Sequence, residues 1–200
     1  MSSGMIIGIT GGIGSGKSVM SRIIRLNGFP VYDCDSEARR IMHENIDVRE
    51  GLCDMLGNEV YDANGNLDRG FMSRCIFTDT EKRKLVNSLV HNAVRKDFLD
   101  YCNIVDSPAV FCESAILSTS GFDSFCDAIW LVEASENIRI GRVIARNNLS
   151  VEEIRHRMKS QEGEFSKLPP SKTMAIINDG NTPVLGFVLK MLDEYKRMEL

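Results

Sequence analysis

The chain has 200 residues, 43% of them hydrophobic and 26% charged, with a net charge of −4 and a pI of about 5.5. That size supports one domain with a sizeable core and room for an inserted subdomain, and the acid balance argues against a nucleic-acid partner. No apolar run approaches the roughly 20 residues that span a bilayer, so no membrane partner is expected, and the start MSSGMIIGIT lacks the basic region of a signal peptide. Six dispersed cysteines without a CxxC pair read as reduced, mostly buried thiols of a cytoplasmic protein, and a zinc site is not expected.

In chain order, residues 5–10 (MIIGIT) form a short β-rich run that ends at glycines, which predicts a buried strand. A helix is predicted from Gly16 to about Asn27, with Val19, Ile23, Ile24 and Leu26 on one face and Gly28 as its stop. FPVYD (29–33) reads as a second strand entered through Pro30 at a sheet edge. Strand, helix, strand implies a βαβ unit and a parallel sheet.

From 36 to about 101 strand signals nearly vanish. Helical spacing runs through 36–45, 48–57, 69–77 and 80–102, with YDANGNLDR (61–69) as a loop built on Asn-Gly turn chemistry. AVFCES (109–114) and AIWLVEA (128–134) are two further strands, followed by a helix over 135–148 with Ser135 as its N-cap. Ser150 starts another helix, and Glu153 three residues on completes a capping box. MAIIND (174–179) is the last strand; a helix over 182–200 with Pro183 in its first turn closes the chain. The expected fold is α/β: a single three-layer α/β/α domain over 1–200 with a five-stranded parallel sheet and a helical insertion at about 36–101.

Residues 11–18, GGIGSGKS, fit G-x-x-x-x-G-K-[ST] without mismatch, between a strand and a helix. Glycines there let backbone N–H groups close around phosphate, and the helix start adds positive potential. Lys17 suits the β- and γ-phosphates of a nucleoside triphosphate, and the Ser18 hydroxyl suits Mg²⁺. A plain glycine turn or a dinucleotide fingerprint explains the glycines but not Lys17 followed by Ser18. Asp33 and Asp35 flank Cys34 where the second strand should end, at the ligand-facing side of a parallel sheet. One carboxylate there can take the proton of an attacking hydroxyl and the other can help hold Mg²⁺; capping of the next helix by Asp35 would account for one aspartate but less easily for the pair, so position favours the functional reading.

ITGGIGSGKS, then YDCDSEAR, then LDRGFMSRCIF resemble, in that order, the motifs of the dephospho-coenzyme A kinase family. LVHNAVRKDF, RIGRVIARNNLSVEEIRHRMKSQ and AIIND extend the likeness over most of the chain. The resemblance implies a P-loop kinase fold and transfer of the ATP γ-phosphate to the ribose 3′-hydroxyl of dephospho-CoA, the last step of coenzyme A synthesis. It implies Asp35 as the activating base with Asp33 as its partner. Lys17 and Arg142 would act on the transferring phosphate. Thr10, Gly11, Gly12, Ile13, Gly14, Ser15, Gly16, Lys17, Ser18, Val19, Arg146 and Asn178 would bind ATP, and Ser18 and Asp33 the Mg²⁺. Arg39, Asp68, Arg69, His91 and Glu113 would join Asp33 and Asp35 on the acceptor side. A lid is implied at about 142–165, and Gln161 matches a further motif position. The chain departs from the pattern at Cys34, usually Ala; at Asn92, usually Pro; and in FCESAILSTSGF, where the family has P-L-L-F-E. The composition is compatible with a monomer or small homo-oligomer. Another P-loop nucleoside monophosphate or small-molecule kinase is the nearest alternative. A GTP switch is opposed by the lack of an Asn-Lys-x-Asp motif, and a binding-only scaffold by Lys17, Ser18 and the aspartate pair.

Overall fold

The computed structural model describes residues 4–146 and 149–198. Five strands, β1 (Met5–Thr10), β2 (Val31–Asp33), β3 (Ala109–Glu113), β4 (Ala128–Glu133) and β5 (Thr173–Ile177), form one sheet in the order β2-β3-β1-β4-β5. Every pairing is parallel. The helices are α1 (Lys17–Leu26), α2 (Cys34–Glu44), α3 (Ile46–Leu56), α4 (Arg69–Phe77), α5 (Thr80–Ile104), α6 (Glu136–Arg146), α7 (Val151–Phe165) and α8 (Val184–Arg197). All five predicted strands and the predicted helices are present; β1 and α4 have the predicted bounds, and the other described ends shift by at most four residues. Residues 147–148 and 199–200 of the predicted helices lie outside the described residues.

The chain divides into two compact units. One holds the described residues up to Asp33 together with those from Cys102 onward; the other is Cys34–Tyr101. In the first unit, alternate residues of the central strands face one layer of helices. Ile7, Ile9, Phe111, Trp130, Val132 and Ile176 pack there with Met20 and Ile24 of α1 and Val188, Leu192 and Tyr195 of α8. Phe111 lies edge-on to both Phe29 and Trp130, whose ring stacks on Tyr195. Each such ring removes on the order of 150–250 Å² from water, which makes this cluster the main fastener of the sheet to that layer. The opposite face is closed by Leu117, Phe122 and Cys126, all buried; the Leu117 side chain and the Cys126 sulfur sit against Gly8 of β1.

The expected apolar face of α1 is revised. Met20, Ser21 and Ile24 are its buried residues and Ile23 packs against the core, whereas Val19 and Leu26 are exposed. The helix begins at Lys17 rather than Gly16, and the loop before it sets its rotation, so the sequence spacing alone was read one position out. Gly28 stops the helix as expected, with φ 89° and its N–H donating to the Arg25 carbonyl. Pro183 occupies the N-cap position of α8.

In the second unit, Val48, Leu52, Leu56 and Val60 are buried, as are Val86, Val90, Val94 and Phe98 on one face of α5. α2 begins at Cys34, directly after β2, so Asp35 lies inside the first helical turn and is not an N-cap. The predicted 61–69 loop is closed by a bridge between Tyr61 and Leu67, with Asp62 accepting from the N–H groups of Asn64 and Asn66.

Candidate active site

β1 ends at Thr10 and the chain turns through 11–16 into α1. Gly14 and Gly16 have φ of 78° and 104°, a left-handed backbone that side-chain-bearing residues avoid. Gly16 is also the N-cap of α1, with no side-chain cap and no acidic residue in the first turn. The N-terminal end of the helix is therefore left for an anion to satisfy.

The loop is held from several sides. Within it, Ser15 N–H donates to the Gly12 carbonyl at 3.0 Å. Lys17 Nζ donates to the Gly11 carbonyl at 2.6 Å, which draws the ammonium over the loop. Arg142 Nη1 donates to the Ser15 carbonyl at 3.2 Å, and Asn178 Nδ2 donates to the same carbonyl at 2.8 Å. Arg142 Nη2 also reaches Asn178 Oδ1 at 3.4 Å. Asn178 owes its place to β5, where its N–H donates to the Glu133 carbonyl at 2.7 Å. Arg146 lies one turn beyond Arg142 on α6 and is exposed. Ser18 is exposed at the start of α1, as is Val19. Two hydroxyls beside the loop, Thr10 Oγ1 and Ser15 Oγ, are buried without a hydrogen-bond partner.

Asp33 and Glu113 are register partners at the carboxyl ends of β2 and β3. Burial pushes the Glu113 carboxyl above the usual carboxylate range, the Asp33 charge adds to the shift, and Lys17 and Arg25 oppose it. Carboxylate and hydroxyl oxygens such as those of Asp33 and Ser18 are hard donors of the kind Mg²⁺ prefers when substrate phosphates complete its shell. On the β5 side, Ala175, Ile176, Ile177, Pro183, Val184 and Phe187 line an apolar cleft of about 370 Å³, next to Asn178 in the chain.

The remaining predicted residues belong to the second unit. Asp35 and Arg39 lie on the exposed side of α2, one turn apart. Asp68 caps α4 by accepting from Phe71 N–H at 2.9 Å, and Arg69 is the first, exposed residue of that helix. His91 is half-buried on α5, next to buried Val90.

Two residues that touch the loop, and a third that holds the segment after β3, were not singled out as site residues. Arg139 of α6 donates from Nε to the Ile13 carbonyl at 2.8 Å. Gln161 of α7, noted only as a motif match, accepts from Ile13 N–H at 2.9 Å. Glu164, buried, accepts from Ser118 N–H, Thr119 N–H and the Thr119 hydroxyl. A carboxylate one turn after Gln161 on a helix reads as a solvated charge, so periodicity gave Glu164 no prominence.

Residues 5–183 match the family model described as dephospho-CoA kinase. The chain belongs to the dephospho-CoA kinase family. A dephospho-CoA kinase from Porphyromonas gingivalis is 42% identical over 172 residues, spanning 86% of this chain and 85% of that protein. A crystal structure of a Thermus thermophilus protein superposes with a TM-score of 0.80 at 31% identity, covering 96% of this chain and 97% of that one. A dephospho-CoA kinase from Campylobacter jejuni shares the fold, with a TM-score of 0.69 at 21% identity and 98% coverage of both chains. The P-loop kinase fold expected from the sequence is thus established, as is family membership. Among the described residues no helix is long and apolar enough to cross a membrane.

Proposed function

We propose that this dephospho-CoA kinase family member transfers the γ-phosphoryl group of ATP to the ribose 3′-hydroxyl of dephospho-CoA, giving CoA and ADP. The observation that carries the reading is the match to the family over residues 5–183, joined to a glycine loop whose helix end and lysine are arranged for a polyphosphate. Phosphoryl transfer needs positioning and charge stabilisation more than covalent chemistry from the protein. Loop N–H groups between Gly11 and Ser18, apart from that of Ile13, which donates to Gln161, close on the β- and γ-phosphates, with Thr10 and Val19 at the two edges of that cradle. Lys17 exchanges its Gly11 carbonyl for phosphate oxygens as ATP enters.

In the transfer step the acceptor oxygen forms a bond to the γ-phosphorus as the bond to the β,γ-bridging oxygen breaks. The hydroxyl proton passes to the Asp35 carboxylate, and ADP leaves with the electrons of the broken bond. Arg142 and Arg146 meet charge that develops on the transferring group. Ser18 and Asp33 would hold Mg²⁺, and the ion would supply neutralisation of phosphate charge. The apolar cleft between β5 and α8 suits the flat face of adenine, with Asn178 at its edge. Arg39, Asp68, Arg69 and His91 are assigned to the acceptor. All six cysteines are free thiols, which fits the reducing cytoplasm.

The test is ATP-dependent turnover of dephospho-CoA compared with AMP, adenosine, shikimate and pantetheine derivatives. Turnover is expected for dephospho-CoA; strong turnover of AMP with none of dephospho-CoA would overturn the assignment.

A further inference from the structure

A loop with four glycines in six residues has little conformational preference of its own. Ordering a flexible backbone costs conformational entropy, so such a loop binds phosphate weakly unless something outside it holds its shape before ATP arrives. One residue of the loop is held by its N–H, its carbonyl and its side chain. Ile13 N–H donates to Gln161 Oε1 at 2.9 Å, and the Ile13 carbonyl accepts from Arg139 Nε at 2.8 Å. The Ile13 side chain packs against a cluster made by Ile140 and Val143 of α6 with Ile154 and Met158 of α7.

The Arg139 guanidinium also lies so close over Gly12 that a Cβ there would collide with it. A Cβ on Gly14 would meet the Arg139 backbone at about 2.5–3.0 Å. Arg139 is half-buried, and an arginine taken out of water needs a fixed acceptor, which the loop carbonyl provides. Two helices thus converge on a single loop residue.

We propose that Arg139 and Gln161 are positioning residues which, through Ile13, latch the phosphate loop to α6 and α7 and set its shape for ATP. This rests on the kinase reading of the loop. Ile13 thereby acts as a peg whose side chain faces the helices and not the nucleotide. The latch also ties the bases of both helices to the loop, so α6 and α7 report directly on the loop's backbone.

The experiment uses the full chain with the variants Gln161→Ala, Gln161→Glu and Arg139→Met, and Ser160→Ala as an exposed control on α7. MgATP affinity is read by calorimetric titration without acceptor, and exchange of the Ile13 amide proton by NMR. Gln161→Ala and Arg139→Met should each weaken MgATP about tenfold and raise KM for ATP, while KM for dephospho-CoA stays as in the wild type. The double variant should lose little more than either single one, because both residues hold the same loop residue. Ile13 amide exchange should quicken in Gln161→Ala and recover in Gln161→Glu, which keeps an acceptor oxygen, with β1 amides unchanged throughout. Wild-type MgATP affinity and Ile13 exchange in Gln161→Ala would overturn the latch. So would a loss spread equally over both substrates and accompanied by a lower Tm, which marks a merely structural contact. Should Gln161→Ala fail to fold, Arg139→Met and Gln161→Glu carry the same comparison. Because ATP binding is read without acceptor, a wrong acceptor assignment would leave this result intact.

Discussion

Replacing Glu164 by alanine is the clearest test of how the first unit holds the segment after β3. Glu164 is only 6% exposed and accepts from Ser118 N–H at 2.5 Å, Thr119 N–H at 3.1 Å and the Thr119 hydroxyl at 2.5 Å. In Glu164→Ala the two backbone donors lose their acceptor. A fully buried donor left unsatisfied costs about 1–3 kcal/mol, but Ser118 is half-buried and Thr119 exposed, so each lies at the low end. The expected loss is about 2 kcal/mol, or roughly 4–8 °C in Tm for a chain of this length. Glu164→Gln keeps one acceptor oxygen and should lose about half as much. The assay is calorimetric unfolding without nucleotide, repeated at high salt, where a bond network shielded from water should keep its effect. A Glu164→Ala protein melting within about 1 °C of wild type would show that these bonds contribute nothing net.

Asp35→Asn should abolish turnover yet leave ATP affinity largely intact, since the base acts on the acceptor; a mutant retaining most of its rate would remove Asp35 from that role. Lys17→Ala should lower kcat by about 10²–10³-fold and weaken ATP binding, read by steady-state kinetics and titration, because a charge aimed at the phosphates is lost. Glu113→Gln should raise Tm at pH 7 in the presence of EDTA. The folded carboxyl sits above its ordinary value through burial, so its protonated form is the one the fold favours. That stability is present below the unfolded value of 4.5 and is lost as pH rises through the folded one. The gain in the variant should therefore shrink toward pH 4.5; a gain independent of pH would refute the electrostatic account.

Much of this protein was legible in one dimension because its signals are local. GGIGSGKS between an apolar strand and a helix needs only adjacent residues to specify a phosphate loop, and Ser150 with Glu153 forms the capping box that their spacing announces. The parallel sheet followed from strand–helix alternation, and the family from an ordered set of short motifs. Other features depend on residues far apart in the chain. The rotation of α1 was misjudged because the loop geometry, with Gly16 at φ 104°, decides which side of the helix meets the sheet, leaving Val19 in solvent and Ser21 inside. Capping, the rival reading of Asp35, is removed because the chain enters α2 without a break after Asp33.

Gln161 and Ile13 lie 148 positions apart, and Glu164 reaches Ser118 across 46, so no spacing rule could pair them. The sequence by itself determined that a triphosphate loop exists and which residues form it. Only the tertiary structure decided what holds that loop in shape: an arginine and a glutamine from two helices, meeting on one residue whose glycine neighbours could not have held it themselves.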